Sequence, residues 1–399
     1  MGRSSYVYII LIFLLLNNFF NIIIIPNAFS ALFLFICLAM GWKYASVYKN
    51  AFEFMLIGML FSSLSCWYYR GQSLFDSFQA LNFYYGIFFY YFLKIKKVKL
   101  ADLNKVVPAL ILILDVLYII QYNLIDYGIN FMHISESYLN DNAIEGNRLR
   151  VMSSGFYSLG IFYGLNKYKD TGKYFYFIFI ILGFYVMLLS GFRQLLFSAA
   201  ISIFFYMYKT GYKISFKHLL SIAVFIMLGL YIINTQDVQD KIQGMMNRNE
   251  SQSFKDADYI RLVQLRYYLY EHFKSPIEWF FGSGMPYYKS SYGHFIENKY
   301  SHVDWGLLGQ SWALGILTVI GFLKFSIKAI KLKVGSNYTY ISLWYIFLLT
   351  ASVTNYEFMR NGNFLIHGLV LYIVELAAKE YNYKPNSLCK KYIYYTPKN

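Results

Sequence analysis

The chain has 399 residues, 58% of them hydrophobic and only 14% charged, whereas a soluble domain carries about 25% charged residues, so an ordinary soluble protein is excluded. The formal charge of +15 does not point to nucleic acid, because the basic residues lie in short segments between apolar stretches, as in a membrane protein. Cys37 and Cys66 lie in or at the ends of apolar stretches and Cys389 lies in the C-terminal tail, so no outer disulfide framework is expected.

A membrane span needs about 20 mostly apolar residues. In chain order, candidate spans fall at 7–25, 28–42, 51–67, 74–93, 106–122, 151–166, 174–190, 192–208, 217–233, 305–323, 338–355 and 361–378. The first is followed by Ala28-Phe29-Ser30, which resembles a signal-peptide cleavage site. The apolar run is too long for a signal peptide and leads into another, so we read an uncleaved first span. The expected fold is an all-α, polytopic transmembrane helix bundle of about twelve spans, forming a single integral membrane domain over 1–399. An even number of spans puts both termini on the same side.

This division separates the basic residues by type. Lysines dominate the segments on the side of the termini: Lys94, Lys96, Lys97 and Lys99, the 167–173 and 209–217 segments, Lys324 to Lys333 and the C-terminal tail. Lys328 and Lys331 suit a helix end that runs on beyond the membrane. By the positive-inside rule this side is cytoplasmic. Arg70, Arg148, Arg150, Arg193, Arg248, Arg261, Arg266 and Arg360 fall on the other side together with five lysines, where topology asks for no positive charge. A guanidinium offers phosphate a planar, two-pronged donor fork and lysine only a point charge. The asymmetry points to an anionic, phosphate-bearing substrate on the outer face.

Two outer segments exceed a simple turn, 123–150 and 234–304. The second is a large, partly helical loop of mixed charge between the ninth and tenth spans, and long loops without function are uncommon. Within it, 258–274 reads as an amphipathic helix. Ile260, Val263, Tyr267 and Tyr270 recur at helical spacing, Asp256 or Asp258 caps the start, and Pro276 ends it.

Candidate chemistry concentrates around these outer segments. Arg193 lies in the very short turn Leu189-Ser190-Gly191-Phe192-Arg193, which holds it at the membrane surface, placed for a lipid-linked phosphate. The alternative is an arginine that snorkels to lipid headgroups. Arg261 and Arg266 share the loop helix but lie about 140° apart around it; Arg261 is also one turn from Asp258, which would make a surface ion pair. Gly282-Ser283-Gly284 permits a tight turn or a close approach to a ligand. His302, in Ser301-His302-Val303-Asp304-Trp305, precedes the tenth span, and a neutral imidazole there can take a proton from a sugar hydroxyl. Asp304 would orient it or act in its place; the alternative is a polar boundary residue above an interfacial tryptophan. His133, His272 and His294 compete as outer histidines. No zinc-ligand spacing is present, so no catalytic metal and no cofactor are expected. Glu53, Asp76, Asp115 and Glu375 fall within or near spans, as carboxylates of a transporter's ion path would.

The Ser-Gly-x-Arg turn, the large loop, Arg261-Leu-Val-Gln-Leu-Arg266, Phe273-Lys-Ser-Pro276, Gly282-Ser-Gly284, His302-Val-Asp304-Trp and Gly315-Ile-Leu together resemble bacterial O-antigen and capsular polysaccharide repeat-unit polymerases and the related O-antigen ligases. The resemblance covers about 185–320. Arg193 matches the first family arginine, and Arg261 matches the loop arginine by its spacing to Pro276; Val303 departs from the asparagine usual after the histidine in ligases. The resemblance implies a membrane glycosyltransferase at the outer face of the cytoplasmic membrane, moving a growing glycan from undecaprenyl pyrophosphate to a sugar hydroxyl of a lipid-linked repeat unit. Arg193, Arg261 and Arg266, with Gly282 and Gly284, would bind the donor, and His302 and Asp304 would serve catalysis. Its partners would be the lipid-linked oligosaccharide, membrane lipid and, as a candidate protein partner, a chain-length regulator. A ligase would differ only in acceptor. A polysaccharide flippase is the alternative of another class, but small outer loops would be expected of it.

Overall fold

A computed structural model describes residues 5–17, 19–20, 27–132, 155–190, 193–210, 260–353, 355–360 and 362–392. Among them the chain is helical and forms no β-strand; one isolated bridge joins Phe20 and Met132. The helices are α1 (Ser5–Leu16), α2 (Asn27–Gly41), α3 (Lys49–Arg70), α4 (Leu74–Ala80), α5 (Phe89–Ile95), α6 (Leu100–Leu124), α7 (Phe156–Thr171), α8 (Phe177–Leu189), α9 (Arg193–Thr210), α10 (Ile260–Tyr270), α11 (Pro276–Phe281), α12 (Ser291–Lys299), α13 (Gly306–Lys331), α14 (Thr339–Ala351) and α15 (Asn363–Tyr392). Three segments are long and apolar enough to cross a membrane: Lys49–Arg70, Leu100–Leu124 and His302–Lys331. Each predicted span coincides with at least one helix except 217–233, which lies outside the described residues together with 133–154 and 211–259.

The predicted 74–93 helix is broken. Ser73 caps α4, its hydroxyl accepting from the Asp76 N–H at 3.0 Å. A 3-10 stretch, Asn82–Phe88, then leads into α5. The tighter turn brings this stretch against α15, where a Cβ on Gly86 would lie 2.8 Å from the Leu365 nitrogen. Tyr84, Tyr85 and the residues through Leu93 are buried, so the irregular backbone is enclosed by protein, the condition under which membrane depth tolerates it.

α3 and α13 pack directly against each other. Gly58 faces Thr318 and Gly321 faces the Ala51 carbonyl, so the two run antiparallel at backbone contact, as small residues allow between membrane helices. α13 runs on through Lys328 and Lys331. The antiparallel packing puts Arg70 at the same end as Gly306. The 82–95 stretch links the two ends: Tyr84 donates to Gln310 at 2.7 Å at the arginine end, and Lys94 meets Glu375 at 2.8 Å at the lysine end. Glu375 thus has a structural partner, and Asp76 serves as a helix-start residue.

The predicted 258–274 helix also needs correction. α10 stops at Tyr270, and Pro276 starts α11 rather than ending α10. The buried stripe is Gln264, Tyr267 and Tyr268; Ile260 and Tyr270 are exposed. A proline without an N–H suits the first turn of a helix, and Ser275-Pro-Ile-Glu278 has a capping-box sequence: the Ser275 hydroxyl accepts from the Ile277 N–H, while the Glu278 carboxylate reaches back one residue further, to the Lys274 N–H.

Candidate functional site

The 260–300 segment docks on the arginine end through the last turn of α3. There Arg70 pairs with Glu278 at 2.9 Å, donates to the His272 carbonyl, and places its guanidinium 5.7 Å from the Tyr292 ring centre. Glu278 is fully buried and also accepts the Lys274 backbone N–H at 2.6 Å. Gly71 closes the helix in the left-handed conformation. Beyond it, the buried Gln72 amide donates to the Met285 carbonyl and accepts from the Tyr287 N–H and the Ser290 hydroxyl, all within 2.9 Å. Arg70 and Gln72, at one helix end, therefore hold the loop at six residues.

A second fixing point is a break in α13. Gly315 has φ +79°, so the helical ladder is interrupted. The Trp312 and Ala313 carbonyls turn instead to the loop and accept from the Ser283 and Gly284 N–H groups at 2.8 Å each. Ser283 Oγ adds a bond to the Trp312 carbonyl at 3.1 Å, and Tyr292 donates to Ser283 Oγ. A Cβ on Gly282 would lie 2.4 Å from the Gly315 nitrogen, and one on Gly284 would lie 2.1 Å from the Cys66 Cβ. The close approach that these two glycines permit is therefore an approach to the chain's own helices.

Between the fixing points lies an aromatic layer. Tyr267 stacks on Tyr300 at 3.8 Å and Tyr268 on Trp312 at 4.4 Å. His302 sits in a short 3-10 turn, His302–Trp305, only 3% exposed, and its Nε2 has no hydrogen-bond partner. Asp304 is half-buried and accepts from Gln264 Nε2 at 3.3 Å; no hydrogen bond joins it to His302. Gln264 Oε1, Trp305 Nε1, Trp312 Nε1 and Gln310 Nε2 are likewise buried without partners. Leaving a buried polar group unpaired costs about 1–3 kcal/mol. Such groups gather on 302–312 and the facing Gln264, which makes this end of the bundle the candidate site.

The remaining elements of this end converge on the same place. Gln194, in the first turn of α9, donates to the Ala351 carbonyl at 3.0 Å, and the Leu307 N–H donates to the Ser352 carbonyl at 2.9 Å. The starts of α9 and α13 are thus joined through the end of α14. The backbone of Arg193 opens α9, while its side chain lies outside the described part. Arg360 pairs with the fully buried Glu357 at 2.9 Å, and Glu357 also accepts from Tyr157 at 2.7 Å. Arg261 is half-buried and Arg266 exposed, and neither makes an ion pair among the described residues. Arg148, Arg150 and Arg248 lie outside the described residues.

Two of the arginines assigned to the outer side, Arg70 and Arg360, therefore serve the protein's own carboxylates, which sequence reasoning missed. Of the competing histidines, His294 is exposed, His133 lies outside the described residues, and His272 is fully buried with Nδ1 3.1 Å from the Tyr267 hydroxyl. Burial first, then the charge of Arg70 and the proximity of His302, push His272 down to about 2 from an ordinary 6.5. Above about pH 6.5 it is neutral folded and unfolded alike. Between these two values the unfolded chain takes up a proton that the folded chain refuses, so stability falls as pH falls, by up to about 1.4 kcal/mol per pH unit. The unfolding temperature of the purified protein is expected to drop from pH 7.5 to 5.5, and His272→Phe is expected to make that drop shallower. An unchanged pH profile in the variant would refute the assignment.

Among the described residues, no group of three or more histidine, cysteine or carboxylate side chains could hold a metal. No family model, no curated protein and no solved structure matches this chain.

Proposed function

We propose that the chain is a bacterial polysaccharide polymerase of the cytoplasmic membrane, crossing it about twelve times with both termini inside. The 234–304 loop then faces outward. The observation that carries this reading is the set of unpartnered polar groups around His302, roofed by docked loop helices at the end of the bundle where the arginines gather. A donor glycan on undecaprenyl pyrophosphate and an acceptor glycan on the same carrier both present sugar hydroxyls to such groups and phosphates to free guanidinium forks.

In the reaction, the acceptor hydroxyl oxygen attacks the anomeric carbon of the donor as the bond from that carbon to the pyrophosphate oxygen breaks. The hydroxyl proton passes to His302 Nε2, and undecaprenyl pyrophosphate leaves with the bonding pair. Arg193 and Arg261 stabilise the charge that develops on the leaving group, with Arg266 further out. Because His302 is only 3% exposed, the acceptor reaches it when the roofing helices shift. Asp304 is the more accessible of the two, which favours a second reading in which Asp304 is the base and His302 a buried neighbour.

If a bidentate fork holds the pyrophosphate, Arg193→Lys should be nearly as damaging as Arg193→Ala. Each loss should cost about 1.5–3 kcal/mol in transition-state stabilisation. Polymer ladders made from lipid-linked repeat units by purified variants measure this. Normal ladders from folded Arg193→Ala and Arg261→Ala proteins would rule the donor site out. Topology has its own check: reporter fusions after Lys333 and Lys391 should read cytoplasmic and a fusion near Asn249 should read outside. A cytoplasmic signal at Asn249 would overturn the functional reading as a whole.

A further inference from the structure

The lysine end carries a feature that the transfer reaction does not use. An open groove of about 800 Å³ lies between the α5–α6 turn and α15, walled by Lys94, Lys97, Lys99 and Lys379. Two of these lysines are fixed. Glu375, 2% exposed, binds Lys94 at 2.8 Å and Lys379 at 2.7 Å, and Tyr90 also donates to it. That buried carboxylate offsets only one of the two charges. Lys97 and Lys99 are exposed and make no ion pair among the described residues, and the one acidic residue on the groove wall is Glu380. Val98, Leu100, Tyr372 and Leu376 give the same groove an apolar floor.

Positive charge at an inner membrane face has a topological explanation, but this concave arrangement on a preset frame goes further. α5 ends in a Schellman motif: the Val98 N–H bonds the Leu93 carbonyl at 3.1 Å and the Lys97 N–H bonds the Lys94 carbonyl at 3.0 Å. The residue at the turn of that motif adopts the left-handed conformation, where glycine is usual. Here it is Lys97, at φ +49°. A long cation thus occupies a position that backbone preference would give to a residue with no side chain.

We propose that this groove binds a phosphate-bearing anion, with Lys97 and Lys99 contacting the phosphate and the Glu375-anchored Lys94 and Lys379 completing the positive wall. The ligand is either the headgroup of an anionic lipid, whose chains lie on the apolar floor, or a free phosphate; the phosphate chemistry is common to both. The site stands independently of the outer-face reaction.

The test uses the full-length protein in neutral detergent, with native mass spectrometry for phosphatidylglycerol against phosphatidylcholine and calorimetry for inorganic phosphate. Lys97→Gly with Lys99→Gln removes both free charges and is expected to weaken binding about thirtyfold. Lys97→Gly alone installs the residue the turn prefers, so it is expected to keep the unfolding temperature while weakening binding about fivefold. Phosphatidylglycerol preferred over phosphatidylcholine, and weakened in the variants, identifies a lipid headgroup. Inorganic phosphate bound by the wild type and weakened in the variants, without lipid preference, identifies a free anion. Equal binding by wild type and variants, or no binding of either probe to the wild type, overturns the proposal.

Discussion

His302→Ala is expected to keep binding the lipid-linked donor and to lose most of its turnover, by about 10²–10⁴-fold, the usual contribution of a general base. The motive is the imidazole's position: Nε2 has no partner, and it lies on the 302–312 stretch where other buried polar groups are also unpaired. Asp304→Asn separates the two readings of the site. Because Asp304 bonds Gln264 and not His302, its replacement should be mild if His302 is the base. Full activity in His302→Ala with severe loss in Asp304→Asn would make Asp304 the base. The assay is run on purified variants with lipid-linked repeat units in the presence of a chelator. Activity abolished by the chelator and restored by a divalent cation would sink a metal-free step.

The largest expected effect on stability is at the Arg70–Glu278 pair. Glu278 is fully buried and Arg70 only 9% exposed, so removing either partner strands a charge away from water. Breaking a buried pair from one side costs about 3–5 kcal/mol. Arg70→Met and Glu278→Gln are each expected to lower the unfolding temperature and to open the 260–300 segment to protease, because Arg70 also holds the His272 carbonyl. The double change Arg70→Met with Glu278→Leu should be less damaging than the worse single change, since no uncompensated charge remains. Single variants with wild-type stability and protease resistance would show that the loop is held by Gln72 and the Gly315 break without the ion pair.

Apolar stretches of span length were legible in the sequence because transfer from water depends on the residues of a segment itself, and a helix stands at each such stretch among the described residues. Helix starts at Ser73, Ser275 and Ser290 are just as local, since a capping hydroxyl reaches an N–H two or three residues on, but they were not read from the sequence. The Ser275-Pro-Ile-Glu278 box could have shown that Pro276 begins a helix. The clustering of lysines in some of the segments between apolar stretches and of arginines in others also belongs to the sequence. What each arginine faces does not. Arg70 and Arg360 are matched to Glu278 and Glu357, and Arg70 meets a carboxylate far along the chain. The buried face of α10 was misread because Tyr300 and Trp312, not α10's own periodicity, decide which tyrosines are covered. Only tertiary structure could pair the Gly315 break with the Gly282-Ser283-Gly284 backbone, because a carbonyl freed in one segment is satisfied by whichever N–H the fold brings to it.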